Sequence, residues 1–143
     1  MEKILISACL VGDKVKYDGH SNYNQKIEQL LEKYDLVPFC PEVEGGLPTP
    51  RKPSERKDNK VINKAEKDVT HQFERGAELA LNICKYLGIR IAILKENSPS
   101  CGSKHIYDGT FKNKLIEGKG VTTELLGKNG IKVISEDEID TIL

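Results

Sequence analysis

The chain has 143 residues, which is enough for one domain with its own hydrophobic core and too few for two ordinary ones. Hydrophobic residues make up 38% and charged residues 31%, which excludes a disordered protein and is typical of a globular one. Lys+Arg and Asp+Glu balance at 22 each, so net charge gives no reason to expect direct binding to nucleic acid or to a membrane.

The first residues begin a strand almost at once, without a charged-then-apolar leader, and no apolar run approaches membrane-spanning length. We therefore expect a cytoplasmic protein. A reducing compartment disfavours structural disulfides, so the four cysteines need another explanation.

Short runs rich in Ile, Val and Leu predict four buried parallel strands, at about residues 3–8, 35–39, 90–94 and 131–134. Helical periodicity predicts helices between them, at about residues 24–33, 70–87 and 121–127. Ser135 with Glu138 three residues later is a capping-box pattern, which predicts a last short helix. We expect a single α/β domain over residues 1–143: a three-layer, Rossmann-like or flavodoxin-like fold with strand order 2-1-3-4.

Two stretches, residues 45–69 and 102–120, break the alternation of strand and helix. In the first we predict a small hairpin that pairs residues 60–63 with residues 67–70. In the second, Asp108-Gly109 is a strong hairpin-turn signal. Both insertions follow strands that carry cysteines at their ends, so both should lie over a common site.

Three cysteines occupy the same kind of position, at or soon after the end of an apolar, strand-like run. Cys9 and Cys40 follow the first and second predicted strands, and Cys101 comes seven positions after Leu94, which ends the third. Because the carboxyl ends of parallel strands share one edge of a sheet, we expect these residues to converge. Converging thiolates indicate a metal ion or an iron–sulfur cluster. Cys84 lies on the apolar stripe of the long helix and is assigned to the core.

Other interpretations of the three cysteines stay open at this point. Free cysteine is among the most buried residue types, so the three could be unrelated core thiols. Zinc held by three cysteines and a water is the competing metal, although such sites usually include a short-spaced pair, and these cysteines are 31 and 61 residues apart. Three thiolates around a cubane cluster would leave one thiophilic iron open, a Lewis acid able to bind a substrate sulfur.

Seven segments carry distinctive motifs, and three of them contain these cysteines, with CPEVEGGLPTPR at Cys40 and SPSCG at Cys101: residues 6–12, 17–19, 40–51, 68–70, 98–102, 107–111 and 118–122. At these segments the chain resembles the small thiouracil desulfidase family, long catalogued as a domain of unknown function. The resemblance extends over essentially the whole chain, and the motifs at Cys40 and Cys101 are the most specific.

The resemblance implies a [4Fe–4S] cluster held by Cys9, Cys40 and Cys101, with the fourth iron free of protein ligands. It implies that this iron captures the sulfur of a thiolated uracil, that water attacks the thiocarbonyl carbon, and that uracil and sulfide leave without net redox change. The resemblance assigns Glu44 as general acid/base, with Ser100 assisting proton transfer. Glu42, two residues before Glu44, is the alternative candidate for the acid/base role.

The resemblance further implies a small-molecule substrate, a thiolated pyrimidine base or nucleoside, for which Ser7, Arg51 and Ser98 are candidate contacts. Arg51 belongs to a basic loop, residues 51–57, whose other cations, Lys52, Arg56 and Lys57, we interpret as solvated. Two alternatives are sulfur transfer in thionucleoside metabolism and a non-catalytic zinc or redox sensor. The first normally needs ATP activation, for which the sequence has no phosphate-binding loop beyond the weak signal Gly118-Lys119-Gly120.

Overall fold

A computed structural model describes residues 1–143. In chain order its elements are β1 (Glu2–Ser7), a first 3₁₀ helix (Ala8–Val11), α1 (Ile27–Leu31), β2 (Tyr34–Phe39), α2 (Pro41–Glu44), β3 (Ser54–Lys57), β4 (Lys60–Asn63), α3 (Thr70–Leu87), β5 (Ile91–Ile93), β6 (His105–Tyr107), β7 (Leu115–Glu117), α4 (Val121–Lys128), β8 (Lys132–Ile134) and a second 3₁₀ helix (Glu136–Thr141).

The central sheet has four parallel strands in the order β2-β1-β5-β8, which confirms the predicted order 2-1-3-4. Ser7, the last residue of β1, pairs with Phe39, the last residue of β2, and Ile6 pairs with Ile93 at the end of β5. The chain therefore leaves these three strands at nearly the same level of the sheet, at its carboxyl edge.

Apolar side chains alternate between the two faces of the sheet, as the period of two in a strand requires. Leu5 of β1 joins one core cluster with Cys84 of α3 and Leu126 of α4. Ile4 and Ile6 join the other, with residues of α1 and of the second 3₁₀ helix. Helices thus cover both faces, which confirms the three-layer architecture, and the assignment of Cys84 to the core is confirmed.

The boundaries differ from prediction chiefly where short segments are held by tertiary contacts. Helix α1 spans five residues where ten are predicted: it begins after Lys26, whose side chain makes no capping hydrogen bond, and it ends at Glu32. The last helix is a 3₁₀ helix, and its Ser135 and Glu138 form the predicted capping box. No helix combines the length and the apolar character needed to cross a bilayer.

The first insertion pairs differently from the prediction. Residues 60–63 form β4, but their main partner is β3 across the two-residue turn 58–59, and residues 67–70 contribute only an isolated bridge between Ile62 and Asp68. The solvated loop predicted over residues 51–57 is wrong for Arg56, whose side chain is only 11% exposed and forms an ion pair with Glu124. The run of charged residues gave no sign of β3 in the sequence, because the residue that pairs with Arg56 is Glu124 on the distant α4.

The second insertion contains the predicted hairpin, β6 with β7. Asp108 and Gly109 follow β6 directly, and the connection runs over residues 108–114. Both hairpins contribute to one cavity at the carboxyl edge of the sheet, as expected from their places in the chain.

Candidate active site

A cavity of about 530 Å³ opens at the carboxyl edge of the sheet, over β1, β2 and β5. All three cysteines predicted to converge, Cys9, Cys40 and Cys101, line it. Its remaining walls come from the loop after the first 3₁₀ helix, from α2, from the loop after β5 and from the two hairpins. The sheet edge therefore does gather residues that are distant in sequence, as the positions of the cysteines predict.

Each cysteine reaches the cavity through a different local structure. Cys9 lies in the first 3₁₀ helix, directly beyond β1, and Cys40 is the extended residue that precedes α2, where Pro41 is the first helical residue. Proline is favoured there because the first helical amide needs no intrahelical partner. Cys101 ends a tight loop after β5, in which the Ser98 hydroxyl accepts hydrogen bonds from the amides of Ser100 and Cys101, both at 3.2 Å.

The start of α4 supports the Cys101 loop from behind. The amides of Val121 and Thr122 donate to the carbonyls of Pro99 and Ser100, at 2.9 and 2.8 Å. A Cβ at Gly120 would lie 2.3 Å from the Ser100 carbonyl carbon, so only glycine allows this approach. The weak phosphate-loop signal at residues 118–120 thus has a structural explanation: these helix-start amides hold the cysteine loop.

The three thiols are poorly solvated. Burial raises the pKa of Cys101 to about 12 and raises the pKa values of Cys9 and Cys40 above their usual value. A thiolate is the form that binds metal, so its negative charge needs cationic compensation in this environment. Iron ions would supply that charge, which makes the donor set suitable for a metal group.

The arrangement fits a cluster better than a single ion. No three His, Cys, Asp or Glu side chains in residues 1–143 lie close enough together to hold one metal ion. Cysteines of a cubane each bind a different iron, so their sulfurs do not have to meet at one point. Three cysteines that line one cavity are therefore compatible with a cluster.

A carboxylate also enters the cavity, and it belongs to Glu42. Glu42 Oε2 accepts a hydrogen bond from Ser100 Oγ at 3.0 Å, and Oε1 accepts one from Arg51 Nε at 3.1 Å. Glu44, predicted as the acid/base residue, is exposed and does not line the cavity. Two residues on a helix point about 200° apart, so α2 cannot direct both carboxylates to the same side.

Ser100 lies between this carboxylate and the third cysteine. Its hydroxyl is 2.9 Å from Ser98 Oγ, 3.0 Å from Glu42 Oε2 and 3.4 Å from Cys101 Sγ. Ser98 Oγ already accepts two amide protons, so its own hydroxyl proton points to Ser100. Ser100 is then free to donate to Glu42, which gives a directed chain from Ser98 through Ser100 to the carboxylate.

The residues predicted to contact substrate all line the cavity, but their polar atoms have protein partners. Arg51 is 7% exposed, and besides Glu42 its guanidinium donates to Pro48, Thr49 and Val15. Ser7 Oγ accepts from the Lys95 amide at 2.9 Å and lies 3.7 Å from Cys101 Sγ. Arg51, Ser7 and Ser98 therefore hold other site residues in place.

Two cavity residues lack any distinguishing signal in the sequence. Asn22 Nδ2 donates to Cys9 Sγ at 3.5 Å, and the Asn22 amide donates to the Cys9 carbonyl at 2.9 Å. Lys95, just after β5, forms an ion pair with Glu136 at 2.8 Å. Asn22 belongs to an irregular segment and Lys95 to a mixed-charge stretch, so only the folded chain brings them to the site.

Comparison with known proteins gives three findings. A family model described as 2-thiouracil desulfurase matches residues 4–138. The uncharacterized protein YbbK of Bacillus subtilis (strain 168) is 41% identical over 150 residues, which cover 98% of this chain and 99% of YbbK. A solved structure of the [4Fe-4S]-dependent thiouracil desulfidase TudS (DUF523Vcz) matches with a TM-score of 0.94 and 49% identity, over 99% of this chain and 95% of that chain.

Proposed function

The chain belongs to the 2-thiouracil desulfurase family, and from that premise we propose that it is an enzyme that removes sulfur from thiolated uracil with the help of a [4Fe–4S] cluster. The similar solved structure is of a [4Fe-4S]-dependent thiouracil desulfidase. The observation that carries the proposal is the cavity lined by Cys9, Cys40 and Cys101, which also holds the Glu42–Ser100 pair.

We assign Cys9, Cys40 and Cys101 as the cluster ligands. When bound, the cluster supplies a Lewis-acidic, thiophilic iron without a protein ligand, suited to take up the sulfur of the substrate. Asn22 and Ser7 assist from the protein side, because the Asn22 side-chain N–H points to Cys9 Sγ and the Ser7 O–H points to Cys101 Sγ. Such hydrogen bonds stabilise sulfur that carries negative charge.

We assign proton transfer to Glu42 and Ser100 in place of Glu44. The reaction exchanges a C–S bond of the substrate for a C–O bond to water, so the attacking water loses protons and no electrons are exchanged. Glu42 Oε2 and Ser100 Oγ, 3.0 Å apart, form a path along which a proton can move. Arg51 holds the other carboxylate oxygen, which keeps Glu42 directed into the cavity.

The proposed substrate is a small thiolated pyrimidine, either a free base or a nucleoside. A cavity of about 530 Å³ lies within the size range of small-molecule sites. The balanced charge of the chain supports a small-molecule substrate over a nucleic acid. All four cysteines are free, which supports a reducing, cytoplasmic location.

Turnover by the reconstituted protein tests this function. After anaerobic reconstitution with iron and sulfide, we expect 2-thiouracil to be converted to equal amounts of uracil and sulfide, with oxygen from labelled water in the uracil carbonyl. Protein loaded with zinc in place of iron is the control and should be inactive. Turnover that is equal with zinc, or uracil without the label, would contradict the proposal.

A further inference from the structure

The loop between β6 and β7 presents aromatic side chains to the cavity. Tyr107 and Phe111 both line it, and both are only partly buried. Neither belongs to any of the three apolar clusters that form the core. Their rings therefore lie outside the packed core, at the wall of the cavity.

The backbone of Phe111 has an unusual conformation. Its φ is 59°, in the left-handed region that a bulky side chain rarely adopts. Such a conformation costs free energy and persists only where surrounding contacts hold it, and residues of this kind concentrate at ligand-binding sites. A phenylalanine held in this conformation outside the core and at the cavity wall points to a function for its ring.

A carboxylate from the other hairpin holds this conformation. Glu55 Oε1, on β3, accepts hydrogen bonds from the amides of Gly109 and Phe111, at 2.9 and 3.1 Å. Asp108 adds a turn within the loop, since its Oδ1 accepts from the amide and hydroxyl of Thr110. Glu55 itself lines the cavity, so the contact that fixes Phe111 lies at the wall of the site.

We infer that Phe111 is a substrate-binding residue that stacks on the flat pyrimidine ring, and that Glu55 is the residue that positions it. The inference rests on the proposed function, because it takes a thiolated pyrimidine as the ligand. The three cysteines and the Glu42–Ser100 pair line the cavity with sulfur and oxygen groups, and none of them has an apolar face for a planar ring. Aromatic side chains bind bases through such faces.

Phe111→Gly is the informative variant, because glycine adopts a positive φ without strain and the ring is removed while the loop can keep its shape. We expect the KM for 2-thiouracil to rise about 5- to 150-fold, the range that corresponds to stacking of one base. The kcat should stay unchanged, since stacking binds ground state and transition state alike. Phe111→Tyr keeps an aromatic ring, so it should recover most of the substrate affinity that Phe111→Gly loses.

Binding of uracil separates stacking from capture of sulfur, because uracil has no sulfur to bind iron. Calorimetry with the reconstituted protein should show the uracil Kd rising by the same factor in Phe111→Gly. Glu55→Ala should raise both the KM for 2-thiouracil and the Kd for uracil. Glu55→Gln keeps an acceptor oxygen for the two amides, so its KM and Kd should stay near the wild-type values. The double variant Glu55→Ala/Phe111→Gly should have the same KM and Kd as Phe111→Gly alone, because both changes remove the same stacking contact.

Unchanged KM and uracil Kd in Phe111→Gly, at wild-type iron content and melting temperature, would overturn the inference while leaving the desulfidase function intact. A wild-type protein that binds uracil but does not turn over 2-thiouracil would contradict the proposed function and keep the stacking site. A wild-type protein that does neither would overturn both.

Discussion

Glu42 is held in the cavity by two neighbours, each of which bonds a different carboxylate oxygen. Arg51 fixes one oxygen with a charge-assisted hydrogen bond, and Ser100 donates to the other. The guanidinium is anchored in turn to the carbonyls of Val15 and Pro48. A general acid/base group benefits from this arrangement, because its reacting oxygen needs no reorientation during the reaction.

At the level of single residues, we predict opposite outcomes for two isosteric substitutions on α2. Glu42→Gln should lower kcat about 10²- to 10⁴-fold, the usual contribution of a general acid/base, while the visible absorption of the cluster is retained. Glu44→Gln, its matched control, should keep wild-type kcat because that side chain is exposed outside the cavity.

Steady-state kinetics at equal iron content measures both variants. Loss of turnover in Glu44→Gln together with normal turnover in Glu42→Gln would restore the sequence-based assignment of Glu44.

The three cavity cysteines could be predicted from residue type and position together, because thiolate chemistry is specific and the apolar runs before these residues mark the ends of strands. The proposed preference for Glu42 over Glu44 rests on the direction of each side chain on α2, and a helix of four residues is too short to show a sequence period. Glu55 acts through a contact between the two hairpins, separated by more than fifty residues in the chain. No local pattern contains that information.

Among the elements, α2 and α3 approach each other unusually closely. A Cβ at Gly76 of α3 would lie 1.9 Å from the Pro41 carbonyl oxygen, and one at Gly45 would lie 2.0 Å from the Gln72 carbonyl oxygen. The long helix thus sets the position of α2 through backbone contact. Cys40 and Glu42 flank Pro41, so the same contact sets the position of two site residues.

Gly76→Ala should therefore disturb the site from a distance. We expect it to lower the free energy of unfolding by about 1–3 kcal/mol, as overpacking usually does, and to reduce both bound iron and turnover. Gly127→Ala on α4 is the control, because a Cβ there meets nothing within 4 Å. Alanine there should be neutral or stabilise by up to about 1 kcal/mol.

Urea unfolding and iron analysis of the two variants provide the comparison. Equal stability and equal iron in both would show that the close approach of α2 to α3 is not needed for the site.

Sequence reasoning predicted the elements whose core contacts follow a clear period. The four central strands and α3 belong to this group, because β-branched runs and a long apolar stripe mark them. It missed α2 and β3, whose residues are mostly polar and are held by particular partners, such as Glu124 for Arg56. Polar elements of this kind form only when the rest of the fold supplies those partners.

For the molecule as a whole, Glu96 is a carboxylate that connects stability to pH. Glu96 follows β5, and its Oε1 accepts hydrogen bonds from the amides of Asn97, Ser103, Lys104 and His105. Burial would by itself raise the pKa of Glu96, but these amides outweigh it and hold that pKa below the usual value. The folded state therefore favours the ionised form.

A carboxylate with a lowered pKa stabilises the fold above its unfolded-state pKa and loses this contribution as pH falls through the folded-state value. Wild-type protein should thus exceed Glu96→Gln in unfolding free energy at pH 7, and the gap should narrow as pH falls below about 4.5. Urea unfolding from pH 7 to pH 3, with both proteins in the same metal state, measures the gap. A gap that is constant over this range would contradict this role of Glu96.

The proposed site requires three cysteines, placed after the carboxyl ends of β1, β2 and β5, to lie around one shared cavity. A fourth cysteine, Cys84, is packed in the core and provides an internal comparison.

Iron and acid-labile sulfide analysis after anaerobic reconstitution tests this requirement directly. We predict about four irons and four sulfides per chain in wild type and in Cys84→Ala, with clear loss of both in Cys9→Ala, Cys40→Ala and Cys101→Ala. Full iron and sulfide content in any of these three variants, or its loss only in Cys84→Ala, would contradict a cluster held by Cys9, Cys40 and Cys101.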